Sequence, residues 1–418
     1  MLISAGGPLI SPDSPEKPAD FHFMGAASVK TTNLSKNFFL AAVISIICLI
    51  AAWPVASGLE SKYLRGRQKV TEHESLDKYL SGLVSKDEPG LAAAVIKNGQ
   101  PAVIYTAGVT DIKTLQPITA KTNFRLASVT KQFTACAVML LARDGRLQYD
   151  QSLRDYFPDF PAYGQAITIR HLLTHTSGLP DYEDLLPPAD PARTIEEQQI
   201  TDNQVLELLK QQRRGKFRAG EEWRYSNSGY VLLGLIIEKA SGQSFDEFLH
   251  HRIFAPLGME TTVLYERNKN TVQNRAYGHT RVAGRWEIQD QSLTSATRGD
   301  GRIYSSVEDL IKWDEAWRDE TLLSAEEKKL ALTPVKVRGK GPVDPDGRPA
   351  AYGFGWFLNP WEGHPRAWHY GETTGFRTTI QRFYQDSLTV IILANRDDLD
   401  PSSLALRLAR SFLSSKNR

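Results

Sequence analysis

Ser128 and Lys131 stand three residues apart in Ser128-Val129-Thr130-Lys131, an S-x-x-K tetrad at the head of an apolar run. On a helix, positions i and i+3 share a face, so a hydroxyl and an amine at this spacing can meet. A serine hydroxyl attacks a carbonyl only when a base takes its proton. A lysine can be that base only if desolvation or a nearby cation lowers its pKa. The run that follows, to about Arg143, supplies desolvation, because Val129, Phe133, Ala135, Val138, Met139, Leu140 and Leu141 make it apolar on nearly every face. The start of such a helix also offers free N–H groups and a positive dipole end where an oxyanion would form. Alone, S-x-x-K is common by chance and usually a solvated helix start. The apolar run behind this one weighs against that.

Two other short motifs follow in order. Tyr225-Ser226-Asn227 precedes a second apolar helix, 230–240; alone it reads as a helix-start turn, Ser and Asn being good caps. His369-Tyr370-Gly371 lies between strand-like stretches and alone reads as a loop histidine. Together the three form a specific pattern, 97 and 144 positions apart.

The elements that must position these groups follow from periodicity. Residues 91–96 and 101–107 are apolar and β-branched around Lys97-Asn98-Gly99-Gln100, and Asn-Gly between such runs signals a hairpin. The middle, about 150–300, is rich in helix and loop, punctuated by Pro158, Pro161, Pro180, Pro187, Pro188 and Pro191. Residues 334–350 read as a surface loop. Strands return at 352–358, 376–383 and 388–394, then a helix from about Pro401. Strands at both ends imply an α/β (α+β) sandwich: an antiparallel sheet closed by its two termini and flanked by helices, with an all-helical lobe inserted and the site at their seam.

At this point the chain resembles the serine β-lactamase and penicillin-binding-protein superfamily, in the branch of class C β-lactamases, D-alanyl-D-alanine carboxypeptidases and related esterases. FRLASVTKQFTA at 124–135, ITIRHLLTHTSGLPDY at 167–182, WRYSNSGYVLLGLIIE at 223–238, GDGRIYSSVEDL at 299–310 and YGFGW at 352–356 carry the likeness, which covers about 75–414. The resemblance implies that Ser128 attacks a carbonyl and Lys131 eases its deprotonation. It implies that Tyr225, held as a phenolate or sharing a proton with Lys131, moves the proton to the leaving group. Asn227 would bind a substrate amide, and His369 would stand near the leaving group in place of a lysine. The backbone N–H groups of Ser128 and Glu372, the residue after Gly371, would form the oxyanion hole. Which of Lys131 and Tyr225 is the acylation base stays open. His369 lacks the permanent charge of lysine, and Glu372 puts a carboxylate where a small residue is usual. Both favour an ester or peptide-like amide without a free carboxylate nearby. The alternatives are a β-lactamase or penicillin-binding carboxypeptidase, and a non-catalytic scaffold of the same fold. The complete set Ser128, Lys131, Tyr225 and Asn227 argues against the scaffold.

Other chemistries lack support. His171 and His175 are spaced like a zinc pair but have no H-E-x-x-H glutamate, so neither metal nor cofactor is expected. There is no G-x-S-x-G, P-loop or G-x-G-x-x-G. Trp223 and Tyr182 are either cleft-lining or simply packed, and Ser305 with Glu308 reads as a capping box. The 418 residues are 41% hydrophobic and 23% charged with a net charge of +2, and no basic stripe suggests nucleic acid. The two cysteines, Cys48 and Cys136, make no disulfide framework, and Cys136 reads as a buried small hydrophobe.

At the N-terminus, residues 1–37 are polar, and Met24 is an alternative start that leaves a short basic lead with Lys30 and Lys36. Residues 38–53, FFLAAVISIICLIAAW, fall between a signal-peptide core and a spanning helix of about 20 residues. Residues 54–74 read as a linker and 75–414 as the hydrolase domain. The expectation is export or membrane anchoring, with cleavage after Ser57 as one outcome and a small-molecule or peptide-like substrate met outside the cytoplasm.

Overall fold

The first strand is apolar on both faces, so its sheet must be covered on both sides. The computed structural model, which describes residues 76–413, meets that demand. In chain order it begins with helix α1 (Leu76–Ser81) and the hairpin β1 (Leu91–Lys97) and β2 (Gln100–Ala107). Asn98 and Gly99 both take positive φ in the turn, as the Asn-Gly signal requires. The lobe follows with β3 (Phe124–Arg125), α2 (Thr130–Arg143), α3 (Leu153–Tyr156), α4 (Ile169–Leu173), α5 (Asp202–Lys210), α6 (Asn227–Ser241) and α7 (Phe245–Leu249). Next come β4 (Val263–Leu264), β5 (His279–Val282), β6 (Arg285–Ile288), β7 (Ile303–Ser305), α8 (Val307–Arg318) and α9 (Ala325–Ala331). The chain then returns through β8 (Ala351–Tyr352), β9 (Phe357–Leu358), β10 (Ala367–Thr373), β11 (Phe376–Phe383), β12 (Leu388–Ala394) and α10 (Pro401–Arg410).

The main sheet has the order β2-β1-β12-β11-β10-β9-β8, antiparallel throughout. The two ends of the domain meet where β1 pairs with β12, Leu91 opposite Ala394. Alternation along β1 sends Ala92, Ala94 and Ile96 into the core shared with α2 and α8. Leu91, Ala93 and Val95 go to the other face, against Leu404 and Leu408 of α10. The inserted lobe is mainly helical and also carries two small sheets, β3-β7-β4 and β5-β6. Cys136 is buried within α2, as expected.

Three local expectations are corrected. His369-Tyr370-Gly371 is not in a loop but inside β10, paired with β11. Residues 352–358 form not one strand but the ends of β8 and β9, turned at Gly355 with φ +79°. The cap of α8 is Ser306, whose side chain accepts from the Asp309 N–H; Ser305 instead shares a hydrogen bond with Thr262. Residues 1–75, with the apolar run and linker, lie outside the described residues.

Candidate active site

Ser128 sits in a 3-10 turn, Ala127–Val129, that leads into α2. Ala127 takes a positive φ of 47°, which L-residues rarely adopt, so the turn is held by its surroundings. One hold is Gly371 on β10. A Cβ there would lie 2.1 Å from the Leu126 carbonyl oxygen and 2.3 Å from Thr378 Oγ1. Only glycine lets the strand come this close to the nucleophile turn. Thr378 donates to the same Leu126 carbonyl at 2.8 Å. Ser128 is half-buried. Its N–H lies at the start of a helix, where N–H groups lack intrahelical acceptors.

Lys131 is fully buried one turn along. Its Nζ donates to Ser128 Oγ at 2.9 Å, to Asn227 Oδ1 at 2.8 Å and to the Asp300 carbonyl at 2.9 Å. It also lies 5.0 Å from the ring centre of Tyr225 and 5.6 Å from that of Tyr230. Burial pulls its pKa down to about 8, against the opposing fields of Asp300, Glu183 and Asp181. At pH 8 a large fraction is therefore the neutral amine that can accept a proton.

Tyr225 lies on the other side. Its hydroxyl is buried without a hydrogen-bond partner. Burial, helped by Tyr370, pushes the phenol well above its usual range, with the Ser128 hydroxyl beside it acting the other way. Burial therefore favours the neutral phenol over the phenolate, one of the two states the resemblance implied. Lys131 meets the ring face rather than pairing with the oxygen.

Asn227 opens α6 and is engaged at both ends of its amide, by Lys131 at Oδ1 and, through Nδ2, by Glu183 at 3.1 Å. Its N–H donates to Asp181 Oδ2 at 2.6 Å. His369 is fully buried: Nδ1 lies 2.7 Å from the Tyr370 carbonyl and Nε2 3.1 Å from the Tyr352 hydroxyl. Both ring nitrogens are occupied, so the side chain has no N–H for a leaving group. Burial, then Lys131, pulls its pKa down to about 3. Glu372 points outward and pairs with Arg377 at 2.9 Å. Its side chain therefore adds no unbalanced charge to the cleft, a correction to the expectation drawn from its sequence position.

Residues that sequence reasoning passed over complete the site. The loop Gly299-Asp300-Gly301 is tied to α2 by Thr134 Oγ1, which donates to the Gly299 carbonyl at 2.7 Å. Asp300 accepts from the hydroxyl of Tyr182, which is buried and packed rather than lining a cleft. Asp181, Glu183 and Asp300 thus surround the Lys131–Asn227 pair. Asp181 and Glu183 are both raised above the ordinary carboxyl range, by burial first and then by neighbouring carboxylates. A charged residue between two glycines carries no periodicity, so only its place in the recurrent GDGRIYSS segment could have marked Asp300. Trp223 is packed with Tyr352, Phe357 and Trp368. His171 bonds through Nδ1 to Thr168, and His175 contacts Tyr352, so the two do not converge.

The comparisons with known proteins agree with this geometry. The β-lactamase sequence profile matches residues 72–413. Penicillin-binding protein 4* of Bacillus subtilis is 33% identical over 324 residues, which are 74% of this chain and 69% of that protein. A D-aminopeptidase of Cereibacter sphaeroides is 27% identical over 333 residues, 78% of this chain; the chain spans only 60% of its length. Among solved structures, the octameric penicillin-binding protein homologue from Pyrococcus abyssi is similar with a TM-score of 0.66 and 28% identity, covering 78% of this chain and 73% of that one. The D-amino acid amidase from Ochrobactrum anthropi SV3 complexed with L-phenylalanine amide has a TM-score of 0.64 at 27% identity, covering 77% and 88%. An antiparallel sheet flanked by helices, a serine and a lysine joined at the head of a buried helix, and a profile match over most of the chain lead to one conclusion: this chain belongs to the β-lactamase family of serine hydrolases.

Proposed function

We propose that this protein is an exported serine hydrolase that cleaves amides or esters of small, amine-bearing, peptide-like substrates through an acyl-enzyme on Ser128. Neutral Lys131 takes the Ser128 proton as Oγ attacks the carbonyl. The oxyanion is met by the N–H groups of Ser128 and Glu372. The leaving nitrogen or oxygen takes its proton from the Tyr225 hydroxyl, and Lys131, which meets the ring face in the free site, returns one to Tyr225 when the two move into hydrogen-bond reach. Water then enters with the same groups run in reverse. The lowered pKa of Lys131 and the protonated state of Tyr225 support this division of labour.

The observation that carries the substrate class is the carboxylate set Asp181, Glu183 and Asp300 around Lys131 and Asn227. Where these carboxylates are ionised, Glu183 being raised to about 7, negative charge beside the cleft favours a cationic amine and disfavours a substrate carboxylate. The relatives named D-aminopeptidase and D-amino acid amidase agree with it. The test compares kcat/KM for phenylalanine amide, its N-acetyl derivative and benzylpenicillin. The free-amine amide should exceed the acetylated one by at least tenfold and be turned over faster than the penicillin. A penicillin hydrolysed faster than the amide would reverse the reading.

Export rests on the apolar run 38–53, which lies outside the described residues. Among the described residues, no helix is long and apolar enough to cross a membrane.

A further inference from the structure

His175 contacts the loop that carries Tyr225 through its backbone and its ring. It takes a positive φ of 58°. That backbone turn lets both its carbonyl and its ring face the same loop. The carbonyl accepts the Arg224 N–H at 3.0 Å, and Nδ1 accepts the Ser226 N–H at 3.2 Å. The N–H groups of the residues on either side of Tyr225 are therefore held by one residue. The imidazole also lies against the Tyr225 ring, with centroids 4.3 Å apart and planes tilted by 37°.

The direction of hydrogen bonding can be fixed from both ends. A backbone N–H only donates, so His175 Nδ1 carries no proton and Nε2–H donates to the Tyr352 hydroxyl, 3.1 Å away. At the far end a carbonyl only accepts, so His369 Nδ1–H donates to Tyr370, and Nε2 accepts from the Tyr352 hydroxyl. Tyr352 then accepts from His175 and donates to His369, with the Tyr230 oxygen beside it as a competing acceptor. The neighbouring phenol of Tyr230 gives its own proton to the Leu173 carbonyl at 2.8 Å. The chain Ser226, His175, Tyr352, His369, Tyr370 is thus complete and one-directional. It joins the loop that carries Tyr225 to the strand that carries Gly371 and Glu372.

We infer that His175 is the positioning residue for Tyr225, and that Tyr352 couples it to His369 in a neutral hydrogen-bond chain with opposite tautomers at its two histidines. The groups facing this chain are Lys131, Tyr225, Tyr230 and Tyr370. With both imidazoles neutral, Lys131 is the one group among these that carries a mobile positive charge. A second cation beside it would hold the lysine amine in its neutral form and change the proton balance of acylation. The function of the chain rests on the acyl-enzyme reading above; its hydrogen-bond directions do not.

The test is nitrogen NMR of the full chain with labelled imidazoles, combined with kinetics. At pH 7 to 8, His175 should show the Nε2–H tautomer and His369 the Nδ1–H tautomer, neither taking up a second proton across that range. Tyr352→Phe keeps the ring and removes the link. It should lower kcat about tenfold on phenylalanine amide with KM within twofold, while His369, still donating from Nδ1 to the Tyr370 carbonyl, keeps its tautomer. His175→Ala should lose more, about a hundredfold in kcat. His175→Asn, which tolerates the positive φ and offers an acceptor to Ser226, should regain at least tenfold of that loss. Identical tautomers at the two histidines would overturn the chain whether or not the protein hydrolyses the amide. Normal tautomers with an unchanged kcat in Tyr352→Phe, or equal activity in the Ala and Asn variants, would overturn its positioning role.

Discussion

Lys131 has three acceptors around its nitrogen and no solvent contact, so its proton affinity is set by burial against three carboxylates. If the neutral amine is the acylation base, kcat/KM should climb with unit slope and level off near pH 8. A base of the Tyr225 type, whose phenol is pushed well up, would instead keep the rate climbing beyond pH 10. Lys131→Ala and Tyr225→Phe should each cost about 10² to 10⁴ in rate. Their combination should cost much less than the product, because groups that act as a unit are not additive. Stability carries the same signature. The lysine's folded pKa is depressed from 10.5 to about 8, so below pH 8 the charged form costs the fold about 3 kcal/mol. That cost is relieved as pH rises from about 8 to 10.5. Lys131→Met should remove this rise, seen as a flatter Tm-versus-pH curve. The serine and lysine were legible from spacing. The roles of His369 and Glu372 were not, because spacing does not tell which face of a strand a side chain takes. His369 is turned into the core, and Glu372 is turned outward to Arg377.

Strand β10 and helix α2 meet through a missing side chain. Gly371→Ala would drive a methyl into the Leu126 carbonyl and Thr378 Oγ1, so the strand must retreat from the Ser128 turn. We expect at least a hundredfold loss of kcat and a lower Tm. Gly341→Ala, at an open position with no positive φ, should leave kcat unchanged and serve as the control. Elements with plain periodicity were readable in advance: the hairpin at Asn98-Gly99, β11, β12 and the helix starting at Pro401. Strand β10, AWHYGET, was not, since glycine and polar residues hide its alternation. The same holds for β8 and β9, where Gly353 and Gly355 break a seemingly continuous run. The helix α6 starts three residues earlier than its apolar stretch suggests, which brings Asn227 into its first turn and against Lys131.

The whole domain is closed by its ends, since β1 and β12 pair and α10 covers the face opposite α8. A chain ending after Ala394 should therefore fail to fold, while one beginning at Lys69, before the first described helix, should be soluble and keep full kcat. The full-length protein should fractionate with membrane or lose its N-terminal segment on export. An inactive protein from the Lys69 start would show that the preceding residues belong to the fold. The central claim concerns one bond, between a substrate acyl group and Ser128, and it can be weighed directly. Intact mass spectrometry with peptide mapping, after rapid quenching with an activated ester of phenylalanine, should find one acyl group on the peptide containing Ser128, and none in Ser128→Ala. An acyl group on another residue, or turnover in Ser128→Ala equal to that of the unmodified protein, would contradict the account.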